Sequence, residues 1–184
     1  NQSAKLNSFS FTWDVVTVND TYPGPPVESS ETLLASYDST SSISDSTVKI
    51  NRYWAQYFKP TFAANVVEWK VTRVFIRAAR KGTVAGTTNV SIQPANNNNY
   101  PNGTIIGQTN VSESALPSEG NFGWVQVSFS NARGLVPNTG ACLTLTTNDL
   151  SGESLEFQYR GSGVPAADGG LVEGDPGWKS FKND

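Results

Sequence analysis

Glu68, in Val66-Val-Glu-Trp-Lys-Val, and Glu156, in Leu155-Glu-Phe-Gln-Tyr, are carboxylates set among alternating apolar residues. Two such groups about 5 to 9.5 Å apart across a cleft can hydrolyse a glycoside. Neither has a second carboxylate at i, i+2 or i, i+4, the spacing that places two acids on one strand face. The alternation turns both away from a core, so solvated positions are expected and no catalytic residue is assigned. Other chemistries lack their parts. The chain has no histidine and one cysteine, Cys142. That removes Ser-His-Asp and Cys-His nucleophilic catalysis, histidine or thiolate metal sites and any imidazole switch. No phosphate-binding G-x-x-x-x-G-K-[ST], and no G-x-G-x-x-G between strand and helix, is present. Arg160-Gly-Ser-Gly-Val reads as a turn, and no cofactor is expected. Asp168, Glu173, Asp175 and Asp184 make the tail acidic. No D-x-[DN]-x-[DN]-G loop organises them for calcium, so no metal is expected either.

Binding chemistry is better supplied. Aromatic faces stack on pyranose rings, and the chain has 5 Trp and 6 Tyr. If Trp54 faces inward on a strand, Tyr53 and Tyr57 have the opposite parity and face out together. Tyr100 lies in a polar loop. These three are the candidate glycan-stacking residues, against a plainer reading in which tyrosines cap sheet edges with wet hydroxyls. Arg73, Arg77, Arg80 and Lys81 form the one cationic cluster. Arg73 and Arg77 share strand parity and are expected on a solvated face. With a formal net charge of −3, the chain lacks the basic footprint of a nucleic-acid binder. Sequons at Asn1, Asn19, Asn89, Asn102 and Asn110 permit N-glycosylation.

The elements that must position these groups are strands. Phe9, Phe11, Trp13 and Val15 alternate with polar residues and give a strand with one apolar face. Pro23-Gly-Pro-Pro ends regular pairing, and a Ser/Thr/Asp-rich stretch from about Ser36 to Thr47 reads as a loop. Val48, Ile50, Trp54 and Phe58 share parity. Val67, Trp69, Val71 and Phe75 read as the core face of a long strand ending near Arg80. Shorter strands are expected around Val90–Ile92 and at Thr104–Gln108, Trp124–Ser130, Ala141–Thr147 and Leu155–Arg160, with turn chemistry between them.

This pattern predicts an all-β protein, a jelly-roll-like antiparallel β-sandwich of 8–10 strands. Residues 1–30 read as an N-terminal strand extension with a Pro-rich linker, and 31–184 as the sandwich. The 184 residues suffice for one large core. Charged residues make up 16% of the chain, where about 25% is usual, and Ser, Thr and Asn replace them, as on exported β-proteins. No apolar run is long enough to span a membrane. The chain starts at Asn1 with no signal peptide, which is expected of a mature chain or a fragment of a longer precursor.

Trp54-Ala-Gln-Tyr-Phe-Lys-Pro-Thr, Val71-Thr-Arg-Val-Phe-Ile-Arg, Pro101-Asn-Gly-Thr-Ile-Ile, Trp124-Val-Gln-Val-Ser-Phe and Leu143-Thr-Leu resemble the strands of exported bacterial and archaeal jelly-roll surface domains. Some of these are called choice-of-anchor modules. The resemblance covers residues 48–180. It implies export and surface display, with the fold used for binding or assembly, and brings no catalytic residues. Two functions follow as expectations. One is a secreted, non-enzymatic filament or layer subunit that self-associates by donating a strand bearing Phe9, Phe11, Trp13 and Val15. The other is a carbohydrate-binding or adhesion module with a cell-surface glycan as partner. Against the first stands the simpler arrangement in which that strand completes its own sheet.

Overall fold

The alternation becomes two antiparallel sheets in a computed structural model that describes residues 5–6, 9–17, 27–37, 43–82, 86–148, 154–160, 171–174 and 178–180. The longest strand, β7 (Val66–Arg80), organises the first sheet, since Val/Ile/Trp-rich alternation suits a half-buried pleat. Along one edge it pairs with β10 (Gly123–Leu135). Its other edge is shared by β2 (Phe9–Thr17) and β12 (Leu155–Arg160). Beyond β2 lie β3 (Val27–Glu28) and β4 (Thr32–Tyr37), beyond β12 lies β5 (Ile43–Thr47), and β1 (Lys5–Leu6) pairs with the end of β12 on its β7 side. That makes an eight-stranded sheet. The second sheet has six strands in the order β14 (Trp178–Ser180), β13 (Leu171–Gly174), β6 (Tyr53–Phe58), β11 (Ala141–Thr147), β8 (Thr87–Pro94) and β9 (Gly107–Ser112). One 3-10 turn, Glu113–Ala115, is the only helical element among the described residues.

The sheets sandwich one core. Trp54, Phe58, Val90, Ile92, Leu143 and Leu145 enter it from the six-stranded sheet, and Trp69, Val74, Ile76, Val127 and Phe157 from the other. Edge-on ring contacts tie the layers together, Trp54 to Phe157 at 5.5 Å and Phe58 to Trp69 at 6.0 Å. Each fully buried side chain of this size contributes about 1.5–3 kcal/mol. The indole N–H groups are satisfied as burial demands: Trp54 donates to the Thr47 carbonyl at 3.2 Å and Trp69 to that of Val136 at 3.1 Å.

The all-β sandwich matches expectation, and several local assignments change. Val67 is 49% exposed while Val66 is buried. In β7 the inward residues are Trp69 and Val71, then Val74, Ile76 and Ala78. The parity reverses where the register with β2 and β10 slips, opposite Val71–Arg73, and it slips again opposite Val66–Glu68. An irregular residue in a ladder moves everything beyond it to the other face, so Phe75 faces away from the core. Ile50, 37% exposed, falls in the Lys49–Arg52 turn before β6. The stretch read as a loop from Ser36 to Thr47 contains the end of β4 and all of β5, which find ladder partners in β2 and β12. The strand expected at Thr104–Gln108 begins instead at Gly107. There are 14 strands among the described residues, four of them of two to four residues, where 8–10 were expected.

On one side the sheets close on each other. The Thr109 hydroxyl of edge strand β9 donates to the Ser128 carbonyl of β10 at 2.6 Å. A Cβ on Gly107 would stand 2.4 Å from the Cβ of Ala132. Only glycine permits that approach.

Candidate functional site

The N-terminal strand is held on both flanks. Phe9, Phe11, Trp13 and Val15 stand opposite Ile76, Val74, Val71 and Trp69 of β7. All four of those β7 residues lie in the core. Across its other edge β2 pairs with β4, from Phe9 opposite Tyr37 to Trp13 opposite Thr32. Within a single chain, then, β2 fills a slot in its own sheet, the intramolecular arrangement. The chain reaches β3 from β2 through residues 18–26, which contain Pro23, Pro25 and Pro26.

The three candidate stacking tyrosines share one region, the face of the six-stranded sheet turned away from the core. Trp54 is fully buried on the core side and Tyr53 and Tyr57 have the opposite parity, as expected. That face is covered at one end. Asn96 accepts from the backbone N–H groups of Asn98 and Tyr100 at 2.9 and 3.1 Å, an Asx turn that folds the following loop. The loop packs Tyr100 and Ala95 against Ala55, Tyr57 and Cys142. Gly103 N–H donates to Gln93 Oε1 at 3.0 Å and pins it down. Tyr57 is therefore 6% exposed, and its ring has no free face to stack on a sugar. This corrects the expectation for Tyr57. Tyr53 and Tyr100 are partly buried. Burial raises the Tyr57 phenol above its usual range. Ser91 and Thr144 share a hydrogen bond beside this cluster.

The two strand carboxylates do not meet. Glu68 lies in β7, and Glu156 pairs with Ala79, eleven positions further along it. At the rise of a strand that is roughly 35 Å, far beyond the reach of a glycosidase pair. Each has a partner: Glu68 accepts from Arg133 at 3.3 Å and from Gly134 N–H at 2.9 Å, and Glu156 lies 3.5 Å from Lys81. A buried acid went unread in the sequence. Glu113, in the 3-10 turn, is 1% exposed and accepts from the Thr88 hydroxyl at 3.1 Å. Its Ser-Glu-Ser-Ala surroundings carry no alternation that would have marked it. Among the described residues no three His, Cys, Asp or Glu side chains converge on a metal-sized site. Of the acidic tail, Asp168, Asp175 and Asp184 lie outside the described residues.

On the outer face of the eight-stranded sheet, Arg73 pairs with Glu31, Lys70 with Glu28 at 2.8 Å, and Lys81 with Glu119. Lys70 and Lys81 hold the Glu28 and Glu119 carboxyls below the usual range by hydrogen bonding. Among the sequons, Asn102 and Asn110 are exposed, whereas Asn89 donates to Asn110 at 2.9 Å and its Ser91 is buried. Asn1 and Asn19 lie outside the described residues. No described helix is long and apolar enough to cross a membrane.

No family model matches the chain, and neither does any curated protein or solved structure.

Proposed function

We propose that this β-sandwich is an exported, non-enzymatic structural protein of jelly-roll type, a subunit of an extracellular filament or layer that assembles by exchanging β2. The observation that carries this reading is the slot that β2 fills, against β7 over nine residues and against β4 from Phe9 to Trp13. A neighbour's β2 would make the same ladder with β7 and β4, so exchange creates no new contact type and loses none. The sequence of segment 18–26 supports it, because it contains Pro23, Pro25 and Pro26 and proline donates no ladder hydrogen bond. Each exchange leaves one free strand and one free slot, which is the condition for an open, head-to-tail chain of subunits. Phe9, Phe11, Trp13 and Val15 are the residues that would register the incoming strand, opposite four core positions.

Negative-stain microscopy beside light scattering, on the full chain and on a version lacking residues 1–18, tests the proposal. Fibres or large assemblies from the full chain are expected. The truncated chain should form none, and a peptide of residues 5–18 should bind its vacated slot. A monodisperse monomer at every concentration, with truncation merely destabilising it, would confine β2 to its own chain and overturn the proposal.

A further inference from the structure

We infer that the outer face of the eight-stranded sheet binds an acidic glycan, with Trp124 stacking on a pyranose ring and Arg77 holding a uronate carboxylate. The two residues stand directly opposite each other in the β10–β7 ladder, so their Cβ atoms lie about 4.5–5.5 Å apart on one face. Trp124 is 46% exposed although it is the largest side chain type available for a core. Arg77 is partly buried, and among the described residues no carboxylate pairs with it and its Nε has no hydrogen-bond partner. This singles it out, since Lys70, Arg73 and Lys81 each meet an acid. Arg80 also has an unsatisfied Nε, but it stands opposite core residue Leu155 and so belongs to the other face. A guanidinium that no carboxylate neutralises gains from an anion that accepts two bonds from its fork.

The neighbours of this pair suit a sugar. Along β10 the next exposed residues still in regular ladder with β7 are Gln126 and Ser128, spaced about 6.8 Å apart at the two-residue repeat of a strand. With Trp124 they form a short row of indole, amide and hydroxyl on one face of regular ladder, which complements the ring face and hydroxyls of a polysaccharide. Gln126 already donates to the Ser128 hydroxyl at 3.1 Å, which orients both. The formal net charge of −3 opposes long-range attraction of a polyanion. Binding must therefore come from local contacts. This surface is on the opposite sheet from Tyr53, Tyr57 and Tyr100, and it does not depend on exchange of β2.

Affinity electrophoresis of the full chain through gels containing polygalacturonate or uncharged dextran decides the matter. Retardation by polygalacturonate alone is expected, and Arg77→Gln and Trp124→Ala should each weaken it at least about tenfold, the worth of one charge-assisted contact. Lys59→Gln, an equal change of charge at an exposed site, should leave it intact. Four results would overturn the inference: no retardation, equal retardation by dextran, equal loss in Lys59→Gln, or displacement by polyglutamate as efficient as by galacturonate oligomers. The last would make an acidic peptide the occupant. Thermal melts verify that each variant is folded, and Arg77→Gln suffices if Trp124→Ala is not.

Discussion

The ring of Tyr57 lies where a side chain on Gly140 would have to be: a Cβ there would stand 1.9 Å from one ring carbon. The tyrosine and the loop over it are thus sealed from the side as well as from above. Gly140→Ala should cost about 1–3 kcal/mol, the usual penalty for overpacking, read as a lower midpoint in urea with an unchanged slope. Cys142, fully buried in the same cluster, donates to the Asn99 carbonyl at 3.7 Å. Burial raises its thiol pKa well above the usual value. Because the folded pKa exceeds the unfolded one, the native state retains a proton that the unfolded chain releases. The associated stability is complete below about pH 8.5, the free thiol's pKa, and declines as the pH rises beyond it. Cys142→Ala should flatten that alkaline decline, as followed by chemical denaturation between pH 7 and 10. The native thiol should stay inert to an aromatic disulfide reagent until denaturant is added. The low carboxyl pKa values of Glu28 and Glu119 have the opposite sign, favouring the fold above the unfolded pKa and less as pH falls. Both side chains are exposed, so that contribution is small.

At the scale of elements, what could be read in advance depended on whether a strand's own residues decided its placement. β11 and β12 begin and end where turn residues and apolar runs put them, at Ala141–Thr147 and Leu155–Arg160. β7 was legible as a strand but not in its faces, because the register slips that move Val67 and Phe75 outward lie in the ladder with β2 and β10 and leave no local mark. β4 and β5 were illegible for a related reason. β5, Ile-Ser-Asp-Ser-Thr, has no apolar alternation of its own, and β4 is only six residues long, so the edges of β12 and β2 decide their placement. The candidate surfaces divide in the same way. The alternation of Phe9 to Val15 announced a strand with one apolar face, and the partner on each flank was invisible. Tyr57 looked outward by parity, while the loop that covers it lies some forty residues away in sequence. The β9–β10 seam offers a direct check on such long-range constraints. Gly107→Ala drives a methyl group into Ala132 and should destabilise the fold by about 1–3 kcal/mol, whereas Gly107→Ala together with Ala132→Gly should recover part of the loss.

The whole molecule is a sandwich shut along one side by β9 against β10, with the edge strands β4 and β5 on the outer margins of the larger sheet. Its N-terminal strand lies inside the larger sheet, antiparallel to β7 from Phe9 opposite Ile76 to Thr17 opposite Val66. Ladder bonds in such a pair run across the strand axis. Tension applied along β2 therefore meets them side by side, in shear, and they must yield together. A pull at right angles would open them one after another. Two-residue β1 would give way first, and β2 would then resist as a unit. In a fibre joined through this strand, the direction of stretch would coincide with the direction in which the joint is strongest.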